Sequence, residues 1–303
     1  MKLGYLLPTR EQIMEGRPET GPMLELATRA ESMGFDSIWV GDSLLARPRH
    51  EPLTLLAGVA GRVPRVQLGT AVLLPALRNP VLLAHQVATL DQVSEGRLIL
   101  GVGIAADRPN IRAEFTAAGV PFDKRVGRMM EGLRLCQALW TGEPVDWNGR
   151  WDVQQGVLAP VTYRPEGPSL WIGGNLQASL DRAARSFDGW FPIAPTAEQY
   201  AEQFAYIRKT SPVTGAMYLT VALDENAERA DERMNQFLET YYGVPGHITR
   251  KRQAAYAGPE AGVAEWLDGY AKAGATHLMI RFAGGDHATQ MAAMARIRGS
   301  LGW

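Results

Sequence analysis

Between Leu68 and Gly103 the chain reads LGTAVLLPALRNPVLLAHQVATLDQVSEGRLILGVG. Two short apolar strand signals, Gln67–Leu74 and Leu98–Ile104, flank one amphipathic helix signal, Pro80–Val93. Strand, helix and strand in that order make a parallel βαβ unit. Such units confine a fold to parallel sheets covered by crossover helices. Each strand here runs out into Gly, Thr, Pro or Asn at its carboxyl end. In closed barrels of such units, those ends carry binding and chemistry.

The unit recurs along the chain. Further strands are predicted at Lys2–Leu7, Asp36–Gly41, Ser169–Ile172, Gly189–Ile193, Ala216–Leu223 and Thr276–Phe282. Helices are predicted at Pro22–Met33, Pro52–Arg62, Arg125–Trp140, Ala178–Ser186, Thr196–Lys209, Ala227–Tyr241, Glu260–Ala273 and Ala288–Ser300. Eight units in strict alternation over 303 residues fit a single (β/α)8 TIM barrel spanning 1–303, since closed barrels of this kind take about 250 residues or more. An open doubly wound sheet is the competing arrangement. Two long segments read as irregular inserts: Ala105–Lys124, and Thr141–Pro168 with a hairpin around Asn148–Gly149. Loops of that length in a compact domain are commonly functional, so both are expected to act as lids.

Bulk properties narrow the partners. An apolar content of 46% supplies a large core, and a net charge of −1 argues against nucleic acid or an anionic membrane. The apolar runs fall well short of the roughly 20 residues that span a bilayer. Met1–Pro8 reads as a strand rather than a secretory signal, and one cysteine cannot form an internal disulfide. A cytoplasmic protein is therefore expected. Cys136 shares a helical stripe with Met129, Leu133 and Trp140, which marks a packed thiol rather than a nucleophile.

Few residues could do hard chemistry alone. Gly101, Gly103 and Ala106 fit a loose dinucleotide fingerprint, but Asp107, Arg108 and Pro109 interrupt the helix it needs, and it follows the fourth strand rather than the first. The glycines are instead expected to admit a flat ligand against the backbone. Gly173, Gly174 and Asn175 precede a helix and form either an anion site or a tight turn. Arg281, ending the last strand, could reach the same place or form a surface ion pair. Asp42 and Ser43 end the second strand, followed by Arg47, Arg49 and His50. His85, mid-helix, reads as packed or capped rather than catalytic. No histidine, cysteine or carboxylate spacing suits a metal, and no GxSxG elbow is present. A small-molecule substrate and a bound organic cofactor are implied.

The motifs Gly34-Phe35-Asp36-Ser37-Ile38-Trp39-Val40 into Asp42, Leu68-Gly69-Thr70-Ala71-Val72, Arg78-Asn79-Pro80, Gln86-Val87-Ala88-Thr89-Leu90-Asp91, Gly101-Val102-Gly103 and Trp171-Ile172-Gly173-Gly174 run through nearly the whole chain, with Asp188-Gly189-Trp190 after them. In these the chain resembles the bacterial luciferase-like family of flavin- and deazaflavin-dependent oxidoreductases. The resemblance implies a TIM barrel holding reduced FMN or coenzyme F-420 at the carboxyl ends of the strands. It places Thr70, Ala71, Val72, Gly101 and Gly103 against the ring, and Gly173, Gly174 and Asn175 by the phosphate, with Arg281 added as a cofactor-binding residue. It also implies a non-prolyl cis peptide at Ala71–Val72, and a homodimer.

Two departures bear on mechanism. Deazaflavin users of this family often have His directly after the Asp that ends the second strand, and an acid just past the fourth-strand glycines. This chain has Ser43 and Ala106 there, with Asp107 one residue along. Loss of the acid weakens hydride transfer more than oxygenation. The first expectation is therefore an FMN-dependent monooxygenase, supplied by a separate flavin reductase. Asp42 and Ser43 would orient the flavin edge or a water, and Arg47, Arg49 and His50 would line the entrance. An F-420-dependent hydride-transfer enzyme is the alternative, and a non-catalytic flavin-binding barrel is the second.

Overall fold

The computed structural model describes every residue from Met1 to Trp303. Eight parallel strands form the barrel: β1 (Lys2–Leu6), β2 (Ser37–Val40), β3 (Gln67–Thr70), β4 (Leu98–Val102), β5 (Ser169–Ile172), β6 (Gly189–Trp190), β7 (Thr214–Leu223) and β8 (His277–Phe282). They pair in chain order. Closure comes from β8 beside β1, with Lys2 opposite His277, and from β6 beside β7, with Gly189 opposite Thr214. The sheet is a closed (β/α)8 TIM barrel. A further parallel strand, Ala255–Gly258, extends the carboxyl end of β7. No helix is long and apolar enough to cross a membrane.

The predicted strands and helices are all present, with their ends shifted by a few residues. One family motif explains itself in the turn before the helix Pro80–Val93. Arg78 pairs with Asp42, the Asn79 side chain accepts from the Val81 and Leu82 amides, and Pro80 takes the first helical position, where a missing N–H costs nothing.

Both inserts differ from expectation. Ala105–Lys124 contains the helix Pro109–Ala117, which buries Ile111, Glu114 and Phe115. Thr141–Pro168 does carry the expected hairpin, Val145–Asn148 against Asp152–Gly156. None of its residues, however, reaches the cavity described below. The reason is positional: it connects a helix to the following strand, and in a parallel barrel such connections run at the amino end. His85 is exposed rather than packed, whereas Cys136 is buried, its thiol pushed up to about 12 by desolvation.

Inside the barrel the lower layers are filled by the protein itself. Trp39, Trp171 and Phe191 pack with Leu6, Ile99, Ala216, Tyr218 and Met279. A Cβ at Gly69 would collide with the Trp39 ring, and one at Gly189 would lie 2.6 Å from Trp171. Glycine at these positions makes room for tryptophan.

Candidate active site

Above this packed floor, at the carboxyl ends of the strands, lies a cavity of about 400 Å³. That is within the usual range for small-molecule sites. The peptide bond between Ala71 and Val72 is cis, where the resemblance placed it. Past it, the Leu73 amide donates to the Gly101 carbonyl and the Gly103 amide to the Leu73 carbonyl, so pairing with β4 resumes. Ala71, Val72, Phe191 and Ile193 give the cavity an apolar side.

The glycines serve the chain's own packing as much as any ligand. A Cβ at Gly101 would collide with the Thr70 carbonyl oxygen and meet Phe191, and one at Gly103 would lie 2.6 Å from a Val72 methyl. Gly103 lines the cavity, while Gly101 and Thr70 lie beneath it. The Thr70 hydroxyl is buried and donates to the Gly101 carbonyl at 2.7 Å.

Gly173 and Gly174 line the same cavity. Gly174 has φ +111°, open to glycine and strained for other residues, and its carbonyl accepts from Trp190 Nε1 at 2.7 Å. Asn175, half-buried, stands beside the lining residues. The next helix, Gln177–Ser186, starts at Leu176 with no side chain capping it. The Gln177 and Ala178 amides are free for an anion, while the Ser179 amide donates to the Leu176 carbonyl at 2.7 Å.

Asp42 is spent on structure. Its carboxylate is almost fully buried, takes two bonds from Arg78 (2.5 and 3.3 Å), and accepts from the Leu74 amide at 2.9 Å. It thus ties the end of β2 to the segment after β3 while still lining the cavity. Ser43 Oγ donates to Glu114 Oε1 at 2.9 Å, and that same oxygen accepts from the Leu45 and Ala46 amides at 2.6 and 3.2 Å. Glu114 is buried and lines the cavity. The two sequence departures therefore meet: where the family pattern has His and an acid, this chain has a serine clasped by a glutamate eight positions past Ala106. Asp107 is exposed and paired with Arg112, away from the cavity.

Arg47, Arg49 and Arg281 line one wall, and His50 does not. The His50 ring faces the Pro18 and Thr9 carbonyls, with Nε2 2.8 Å from Pro18 O. Its place behind the loop is set by the chain leaving the cavity after Arg49. Arg49 donates to the Arg47 carbonyl and to the Tyr241 hydroxyl, both at 3.2 Å, and a Cβ on Gly41 would collide with its Nη1. Arg281 is buried, with Nη2 2.9 Å from both Thr220 Oγ1 and Gln253 Oε1, and Nη1 3.1 Å from Tyr242 Oη. Tyr218, Tyr241 and Tyr242, none singled out from sequence, complete this wall. Tyr218 Oη makes no hydrogen bond within the protein, and burial raises its pKa above the ordinary tyrosine value. Phe191 reaches the cavity, whereas Trp190 stacks on Tyr200 and Trp151 lies under Arg128.

Comparison with known proteins agrees with this geometry. The family model described as luciferase-like monooxygenase matches residues 1–294. An F420-dependent glucose-6-phosphate dehydrogenase of Kineococcus radiotolerans is 28% identical over 330 aligned positions, covering 94% of this chain and 92% of that one. Its counterpart from Amycolatopsis mediterranei is 37% identical over 176 positions, but the match spans only 55% of this chain and 52% of the relative. Among solved structures, monooxygenase RslO1 from Streptomyces bottropensis superposes with a TM-score of 0.81 at 24% identity, covering 99% of this chain and 98% of its own. An F420-dependent secondary alcohol dehydrogenase superposes at 0.82 and 17% identity, with the same coverage. At these identities the two structures speak for the fold. The match over almost the whole chain, together with the barrel and its cis peptide, makes this protein an enzyme of the luciferase-like monooxygenase family.

Proposed function

We propose that the chain is a deazaflavin-dependent oxidoreductase, passing a hydride between coenzyme F420 and a small organic substrate. The observation that carries this reading is the pairing, in one cavity, of an apolar side built on the cis Ala71–Val72 segment with the Gly173–Gly174 turn that leads into the uncapped Gln177–Ser186 helix. A flat ring with a phosphate-bearing tail fits that pair of surfaces. FMN shares both features, and the names of the relatives favour F420: the Kineococcus protein, matched along almost its whole length, is F420-dependent.

When bound, the deazaflavin would supply two-electron hydride chemistry. The residues would supply position and proton control. Ala71, Val72 and Ile193 would hold the ring, and Gly173, Gly174 and Asn175 the phosphate. Asp42 and Ser43 hold the edge of the cavity, through Arg78 and Glu114. Tyr218 presents a free hydroxyl to the cavity, and burial keeps it protonated. It is the proton-bearing group best placed to donate to a substrate oxygen. The helix Pro109–Ala117 covers this site through Ile111 and Glu114 and excludes water.

One observation favours the FMN monooxygenase reading: both acids nearest the mouth are engaged, Asp42 by Arg78 and Glu114 by Ser43. Titrating the purified chain with F420 and with FMN, each oxidised and reduced, separates the two. Tight binding of F420 and weak binding of FMN is expected. Tight FMN binding with oxygen uptake above that of free reduced FMN would replace the proposal by the monooxygenase.

A further inference from the structure

Four arginines gather at one wall of the cavity, with Glu11 the carboxylate that acts on Arg10, Arg49 and Arg281. Arg10, Arg47, Arg49 and Arg281 form no ion pair with any carboxylate, although the chain's overall charge is −1. They gather instead around two tyrosines. Arg10 and Arg281 lie 4.8 and 4.9 Å from the centre of the Tyr241 ring, and Arg47 lies 4.9 Å from that of Tyr242. The Arg47 guanidinium donates to no protein acceptor, and Arg49 uses only Nε and one Nη2 hydrogen. Both side chains line the cavity, so their free N–H groups can serve what enters it.

Packing shows that this gathering is built. Gly41 leaves the space that Arg49 fills, Glu114 pins the backbone of the 43–46 loop, and Gln253 and Thr220 hold Arg281. Burial pushes Arg10 and Arg47 below the ordinary arginine value, whereas the neighbouring tyrosines and Glu11 hold Arg49 and Arg281 above it. Guanidinium groups stay charged in any case, and they bind carboxylate and phosphate through paired N–H donors.

We infer that Arg47 and Arg49, backed by Arg281 and seated on Tyr241 and Tyr242, form the subsite for an oxyanion carried by the substrate, a carboxylate or phosphate attached to a planar or apolar body. This inference rests on the proposed function only in assigning the anion to the substrate; the subsite itself does not depend on which cofactor binds.

The cofactor-free protein is titrated calorimetrically with phenyl phosphate, benzoate and the neutral benzyl alcohol, then again with oxidised F420 saturating. Both anions are expected to bind at least about tenfold tighter than the alcohol. Arg47→Met and Arg49→Met should each weaken the anions about tenfold without altering benzyl alcohol, Arg49→Lys should weaken them less, and circular dichroism should show each variant folded. Binding should persist with F420 present. Equal affinity for anions and alcohol, or wild-type affinity in both methionine variants, overturns the subsite. Displacement of the anions by F420 overturns the substrate assignment and gives the wall to the cofactor's anionic tail. Failure of F420 to bind at all would sink the proposed function while the anion titrations still judge the subsite.

Discussion

On β8, His277 and Arg281 lie four residues apart and both face the barrel interior, yet their surroundings differ sharply. His277, near the amino end, sits against Trp39 and Trp171 and shares a 2.7 Å hydrogen bond with Ser37 Oγ, which also accepts from Trp39 Nε1 at 2.7 Å. Burial drives its pKa down to about 3, so it is neutral. Arg281, two repeats of the alternation higher, is a buried guanidinium with no carboxylate partner, next to open space. The polar groups of the floor satisfy one another, whereas those of the mouth leave charge and donors to spare. That contrast separates polar residues serving the fold from those available to a ligand, and it can be broken experimentally.

The floor should carry the larger stability effects. Trp39→Ala empties the centre of the barrel beside Gly4 and Gly69 and should cost about 3–5 kcal/mol in urea unfolding. A loss below about 1 kcal/mol would mean the interior is not a packed floor.

Acid should attack the floor next. The unfolded chain protonates His277 below about pH 6.5, whereas the folded chain resists until about pH 3. Its contribution is complete above pH 6.5 and is lost as pH falls toward 3, because the unfolded state then binds the extra proton. At pH 5 the loss from this group is about 2 kcal/mol. His287, held down to about 4 by burial, adds a loss in the same direction. His277→Gln should flatten the dependence of stability on pH between 6.5 and 4; an unchanged slope would show that His277 is not the group responsible.

At the mouth, Glu114→Gln removes the charge that gathers the Ser43 hydroxyl and two loop amides. A stability loss of about 1–2 kcal/mol is expected, with a larger proportional loss of anion affinity because Arg47 and Arg49 ride on that loop. Stability loss with anion affinity intact would detach the loop from the arginine wall.

Much of this is legible in the sequence. Period-two and helical patterning located all eight barrel strands, and the family motifs placed the cis peptide and the glycine turn. The misses have physical causes. Glu114 was hidden because Pro109 and a polar run made Ala105–Lys124 look irregular; Ile111 and Phe115, four apart on one face, were the available signal for a helix. Tyr241 and Tyr242 lie about 190 residues from Arg49 in sequence, and only barrel closure brings them together. The hairpin insert reads as a lid by its length, whereas its place after a helix and before a strand consigns it to the amino end.

Thr70 tests the boundary between floor and mouth. The resemblance places it against the ring, whereas its hydroxyl is buried and committed to the Gly101 carbonyl at 2.7 Å, below the residues that line the cavity. Thr70→Val keeps the shape and removes one hydrogen bond, leaving the Gly101 carbonyl with the Leu73 amide alone, so stability should fall by about 1 kcal/mol. If Thr70 belongs to the floor, cofactor affinity in the same variant should stay within about twofold of wild type, a difference under about 0.5 kcal/mol. A tenfold loss of affinity at unchanged stability would move the boundary down one layer and return Thr70 to the ligand. Gly101 would then follow, since its carbonyl and the Thr70 hydroxyl act as one unit.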